Sequence, residues 1–187
     1  MQKIMFNDKY GLTQAVLDGR KTMTRRIVPQ SVVDYYTYEA EDPTMIDAAR
    51  FEIGEIVAVA QAYRYITTYS CLRKTAGWSN KMFVRAEYMP LKIRITDVKV
   101  ERLQDISDED CLKEGIYKDV ENGCVIGSPF RVPFFYTFYG AISKETGREL
   151  HWTTPREAFS VLIDKVSGKG TWEANPWVFA YSFELVK

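Results

Sequence analysis

Nine residues, Gly19-Arg20-Lys21-Thr22-Met23-Thr24-Arg25-Arg26-Ile27, bring four cations and two hydroxyls together. Two kinds of chemistry can use such a set. A threonine hydroxyl attacks a carbonyl, or orients a water that does, once a base takes its proton. Lys21 is the nearest candidate base. An unperturbed lysine, with a pKa of about 10.4, is protonated at pH 7, so that role requires burial or the neighbouring Arg20, Arg25 and Arg26 to lower it. The same cations can instead hold phosphates while tyrosine or tryptophan rings stack on unpaired bases. The plainer alternative is a basic, solvated connection between a helix and a strand.

The elements on either side decide how these groups are presented. Leu12, Ala15 and Val16 form an i, i+3, i+4 apolar set, which predicts a helix from about Asp8 to Asp18, capped by Asn7-Asp8 and stopped by a left-handed Gly19. From Thr22 the chain is β-compatible, with Thr22, Thr24 and Arg26 on one face and Met23, Arg25 and Ile27 on the other. Lys21 falls in the turn, where parity leaves it free to face the same cleft as Thr24. Further on, Ser107-Asp108-Glu109-Asp110 reads as an N-cap and acidic first turn of a short helix closed by Gly115. Glu114 ends that helix, where a carboxylate opposes the helix dipole. A nearby cation or a functional role would account for it.

Elsewhere the pattern is mostly β. Lys3 to Phe6 and Glu55 to Ala60 read as short strands, the second opened by Gly54. Residues 92 to 103 alternate, with a phase break near Asp97 that predicts a β-bulge. Thr154-Pro155-Arg156-Glu157 is a capping box with proline at the first helical position, followed by Ala158, Phe159, Leu162, Ile163 and Val166 on one face. Trp177, Phe179, Tyr181, Phe183 and Leu185 recur at period two, giving a closing strand with a large aromatic face. Stretches near 29–50, 63–80 and 117–153 lack clear periodicity and read as inserted excursions. The aromatic run from Phe134 to Tyr139 is read as core or loop anchor.

The chain has 187 residues, 46% of them hydrophobic and 14% aromatic, which suits one domain of residues 1–187 with a substantial core. Its 25 basic and 25 acidic residues cancel, so any affinity for phosphates must come from local patches. Cys71, Cys111 and Cys124 lack paired spacing, which argues for free thiols, no thiolate metal site and a reducing compartment. His151, the single histidine, gives little support to zinc hydrolase or Ser-His-Asp chemistry and reads as a loop residue. The amino terminus has no signal-type apolar region, and no apolar run approaches the ~20 residues of a membrane span. A cytoplasmic protein without cofactor or metal is expected.

The Gly-Arg-Lys-Thr-x-Thr-x-Arg block after a short helix resembles the signature of the ASCH domain family, a branch of the PUA-like β-barrels. Gly54-Glu55-Ile56-Val57, the strand Ile95 to Val98 with its exit Leu103 to Ser107, Asp110 to Ile116, and Trp172-Glu173-Ala174-Asn175-Pro176-Trp177 resemble later blocks, the last as in phage and prophage members. The resemblance implies an α+β fold: a PUA-like β-barrel of about five or six strands, a helix at one mouth, and inserted loops around a cleft. It implies recognition of RNA or a modified nucleoside there, with Arg20, Arg25, Arg26, Tyr63 and Asn175 as binding residues. Some members hydrolyse 4-acetylcytidine with a lysine and threonine of this block and a glutamate ending the following helix, positions matched by Lys21, Thr24 and Glu114. Amidohydrolysis is therefore the alternative activity, and a phage accessory that binds a protein is a third. Phage-type relatives often carry a carboxylate where this chain has Gln61, which leaves any role of that acid without a counterpart.

Overall fold

The structure, a computed structural model, describes residues 1–39, 45–119 and 135–186. In chain order its elements are β1 (Lys3–Ile4), α1 (Leu12–Leu17), β2 (Met23–Ile27), α2 (Gln30–Asp34), β3 (Ile56–Val59), α3 (Tyr63–Ile66), β4 (Lys92–Arg102), α4 (Asp108–Lys113), β5 (Tyr117–Asp119), β6 (Phe135–Thr137), α5 (Pro155–Ser167), α6 (Thr171–Ala174) and β7 (Trp177–Val186). Short 3-10 turns join many of them. The fold is mixed α+β, with a five-stranded sheet ordered β1-β3-β4-β7-β2 and a separate two-stranded β5-β6 ladder.

The long antiparallel pair β4–β7 is the spine of the sheet, running from Lys92 opposite Val186 to Arg102 opposite Trp177. Its register shifts between Ile95 and Asp97, the bulge that the phase break predicts. Bulges sharpen twist and bend a sheet. Here the two edge strands come within side-chain reach: Arg26 of β2 donates from Nη2 to the Met5 carbonyl, just past β1, at 2.6 Å. Among the described residues β1 and β2 do not pair, so the expected closed barrel is an open, curled sheet. The reason is local. β1 supplies only two residues of ladder, both used on β3, and a side chain bridges the seam instead.

The first helix also differs from expectation. Asn7 caps a 3-10 turn over Asp8–Tyr10, Gly11 turns left-handed at φ 60°, and α1 starts only at Leu12. Tyr139 packs where a side chain on Gly11 would sit, 2.9 Å from the site of a Cβ, so a contact distant in sequence selects glycine and divides the helix. The excursion expected over 29–50 is partly helical: α2 continues into a π-helical turn, Tyr35–Glu39. The region 117–153 contains β5 and β6, while Cys124 and most of its Gly/Pro-rich part lie outside the described residues.

α5 forms as its sequence predicts, with the reciprocal Thr154–Glu157 capping box and Pro155 at its start. It buries Ala158, Phe159, Leu162 and Ile163. Each of the three large side chains contributes about 1.5–3 kcal/mol relative to exposure. Val166, expected on the same face, is 36% exposed at the rim of the cavity described next. Among the described residues, no helix is long and apolar enough to cross a membrane.

Candidate functional site

Lys21 is held by the way the chain reverses after α1. Its amide and that of Arg20 both donate to the Ala15 carbonyl, and the Thr22 amide donates to Lys113 O at the end of α4. This tucks Lys21 beneath the carboxyl end of α4. Gly115 makes the room. A Cβ there would lie 3.1 Å from Leu12 and 3.8 Å from the Lys21 stem, and its φ of 108° is one that side chains rarely adopt. Lys21 is consequently 2% exposed. Its Nζ donates to Glu114 Oε2 at 2.5 Å and to the Glu114 carbonyl at 2.7 Å. One cation therefore balances the carboxylate that opposes the helix dipole and also caps the Glu114 carbonyl at the helix end.

Arg25 adds a second counter-charge. Its Nη1 lies 3.3 Å from Glu114 Oε1, its Nε and Nη2 donate to Glu101 of β4 at 2.9 and 2.6 Å, and Nη2 also reaches Asp110 at 3.4 Å. The expectation of a solvated basic block is corrected here: Arg25 is 6% exposed, and three carboxylates surround it. Arg26 is turned toward the sheet seam, 5.8 Å from the Phe6 ring centroid. Lys21 and Arg25 are thus paired with Glu114, Glu101 and Asp110, the last of which also takes Lys113 at 2.9 Å, while Arg26 forms no ion pair with a described residue. Arg20 stays at the surface, paired with Asp18 at 2.9 Å.

Burial pushes the Lys21 ammonium below the ordinary lysine range, the Glu114 charge and hydrogen bond offset part of the drop, and Arg26 and Arg25 add to it. Burial likewise lowers Arg26, against the pull of Glu114. For Arg25, burial works downward but Glu114, Glu101 and Asp110 outweigh it, so its guanidinium is held above its usual value.

Lys21, Thr24, Arg25, Arg26 and Glu114 all line one cavity of about 380 Å³, walled by Phe6 and Leu12 on one side and by Phe159, Leu162, Ile163 and Val166 of α5 on the other. Both parities of β2 reach it because β2 is an edge strand, bonded among the described residues to β7 alone. Thr24 sits opposite Tyr181 in that ladder and is 5% exposed. A second cavity of about 320 Å³ adjoins it through Met5, Arg26 and Ile27 and carries Arg50, Phe51, Phe179 and Tyr181. The apolar walls supplied by Phe6 and α5 were missed in the sequence, as were Glu101 and Asp110 beside Arg25. Phe6 follows a legible strand and Phe159 lies on a legible helix face, but nothing local says that either borders a void.

Two expected binding residues stand elsewhere. Tyr63 begins α3 and lines a separate cavity with Tyr69 and Tyr88. Asn175 is the turn into β7: it adopts a left-handed φ of 43°, its Oδ1 accepts from the Gln104 amide at 2.8 Å, and its carbonyl accepts from Arg102 at 3.2 Å. Gln61 does not border the Lys21 cavity. Its Oε1 is buried without a hydrogen-bond partner among the described residues, and its amide faces Met89 Sδ at 3.2 Å. Away from the cavity, Asp119, Glu149 and His151 bring ligand atoms within 4.8 Å of one another and are the described group whose chemistry suits a divalent cation. There His151 Nε2 lies 2.6 Å from Asp119 Oδ2.

No family model matches the chain, and no curated protein does. Among solved structures it is similar to the crystal structure of protein EF3133 from Enterococcus faecalis V583, whose description names the family DUF984. That alignment covers 100% of this chain and 77% of the other at 15% identity, with a TM-score of 0.42. The likeness is too slight to bear on fold or function.

Proposed function

We propose that this protein binds a nucleoside, free or as an unpaired base of RNA, in the cavity between β2, the end of α4 and α5. The observation that carries the reading is the convergence of Thr24 and the buried Lys21–Glu114 pair on one cavity of about 380 Å³ with the aromatic walls Phe6 and Phe159. Small-molecule sites run from about 300 to 1,000 Å³ and combine apolar walls with a few convergent polar groups. Because Lys21 and Arg25 are already paired with carboxylates, the site favours an uncharged, planar, hydrogen-bonding group over a bare phosphate. The resemblance to the ASCH family, a branch of PUA-like folds, agrees with this ligand class. Isothermal titration with cytidine, 4-acetylcytidine, uridine and adenosine should find one saturable site for at least one of them, weakened about tenfold or more by Thr24→Val, the value of one hydrogen bond to a buried polar group. Absence of binding by every nucleoside would remove the proposal.

The lowered proton affinity of Lys21 favours a second reading, hydrolysis of the acetyl amide of 4-acetylcytidine. A neutral Lys21 amine would take the proton of Thr24, or of a water that Thr24 orients, as that oxygen bonds to the acetyl carbon and the carbonyl electron pair moves onto oxygen. The tetrahedral centre then collapses and the C–N bond breaks. Glu114, in contact with Lys21, would relay the proton to the departing nitrogen, releasing cytidine. If Thr24 itself attacked, a water would next cleave the acetyl ester to acetate and restore the hydroxyl. Chromatography of 4-acetylcytidine incubated with the protein tests this directly: cytidine should appear, and Lys21→Met, Thr24→Val and Glu114→Gln should each abolish it in folded protein. Substrate left intact by the wild type would exclude hydrolysis while leaving nucleoside binding in place.

A further inference from the structure

The stretch from Tyr63 to Tyr88 stands apart electrostatically. It carries five cations, Arg64, Arg73, Lys74, Lys81 and Arg85, against Glu87 alone, a balance of +4 in a protein whose total is zero. Lys81 is used inward, donating to Phe6 O at 2.5 Å and Asp8 at 2.7 Å. The other four are exposed and form no ion pair with a described residue. Unlike Lys21 and Arg25, they remain available to an outside anion.

Large rings are exposed among them: Tyr65 is 62% exposed, Tyr69 71%, Phe83 63% and Tyr88 57%. Solvent-facing rings in that number need an explanation that core packing does not give. Tyr69 and Tyr88 border a cavity of about 410 Å³, and the Arg64 guanidinium lies 4.8 Å from the Tyr65 ring centroid. The backbone beneath is anchored, since Lys3 Nζ donates to the carbonyls of Met82 and Val84 at 2.6 and 2.8 Å. Lys3 ties the stretch to β1, and Lys81 ties it to the Phe6 turn, which walls the nucleoside cavity.

From this combination we infer that the 63–88 face is a binding surface for single-stranded nucleic acid, separate from the Lys21 cavity. Free cations at intervals track a phosphate backbone, and rings between them stack on bases of any identity. An acidic peptide would satisfy the cations but leave the rings without partners. A duplex would hide its base faces from them. The surface goes beyond nucleoside binding, and it stands or falls by a different measurement.

Fluorescence anisotropy with a labelled 12-nucleotide single-stranded RNA, its DNA counterpart and the matching duplexes, over a salt series, tests the inference. Single strands should bind better than duplexes. Replacing Arg64, Arg73, Lys74 and Arg85 by Gln together should weaken binding at least tenfold and flatten the logarithmic salt slope by up to about 3, at about 0.7 per phosphate contact on single strands. Tyr69→Ala and Tyr88→Ala should each cost about 5-fold or more, the lower end of base stacking. All six positions are exposed, so these variants should fold, and unchanged circular dichroism and thermal midpoints check that. No single-strand binding at low salt, the same affinity in the fourfold variant, or binding of polyglutamate in preference to both nucleic acids would overturn the assignment.

Discussion

Replacing Glu114 by glutamine removes the charge that holds the buried cluster together, and the structure fixes how much should follow. Among the described residues Lys21 loses the one carboxylate it pairs with while its side chain stays 2% exposed and its bond to the backbone carbonyl of position 114, at 2.7 Å, remains. Removing one partner of a buried pair costs about 3–5 kcal/mol, because the surviving charge is uncompensated. The glutamine amide still offers Lys21 an acceptor oxygen, which places the loss near the lower figure, about 3 kcal/mol. Lys21→Met is milder, about 1–2 kcal/mol, because Glu114 keeps Arg25 at 3.3 Å. The double variant has no orphaned cation and should be more stable than the two single losses imply by about 1–3 kcal/mol. Urea unfolding followed by tryptophan fluorescence in all four proteins measures this cycle. A Glu114→Gln thermal midpoint roughly 6–12 °C below wild type is expected for a domain of this size. Losses that add to within about 0.5 kcal/mol, or a Glu114→Gln variant no weaker than Lys21→Met, would refute the coupled network.

The lowered Lys21 value also sets a sign for pH. Below its folded value both states are protonated and the penalty is fully present; between there and the ordinary 10.5 the unfolded chain holds the extra proton, so stability rises with pH. Wild type should therefore gain on Lys21→Met from pH 7 toward pH 10 in urea midpoints, and a falling difference would contradict the burial argument. Burial pushes the Cys111 thiol up to about 12, whereas Cys71 is exposed. Iodoacetamide at pH 8 should alkylate Cys71 and spare Cys111 in folded protein, as peptide mass mapping would show; equal labelling would argue against the packing around α4. Gly11→Ala should cost about 1–3 kcal/mol in urea unfolding, since it adds a positive-φ side chain against Tyr139, and no measurable loss would mean that the α1 entry is loosely held.

What the sequence disclosed was local. The Thr154–Glu157 box, the period-two aromatics of β7 and the Asp97 bulge each depend on residues within a few positions, and each appears where its pattern lies. The inward turn of Arg25 was not legible, because its carboxylates come from 76, 85 and 89 residues away. A run of cations reads as solvated until the acids that fold onto it are known. The open seam was hidden for a related reason: a strand of two residues and a bridging arginine leave no periodic trace. Tyr63 was chosen as a binding residue for its type and context, and the fold sends it to a separate surface, whereas Asn175 makes the turn into the last strand that Asn-Pro at that point favours.

The account's central claim is that a nucleoside occupies the space bounded by Thr24, the Lys21–Glu114 pair and α5. Crystals of the wild-type protein can be soaked with cytidine, which carries no acetyl group to turn over, and examined by difference density. The account predicts a planar base between Phe6 and Phe159 with its exocyclic group directed at Lys21 and Thr24. A cavity without ligand density at saturating nucleoside, or density found only outside it, would contradict the claim.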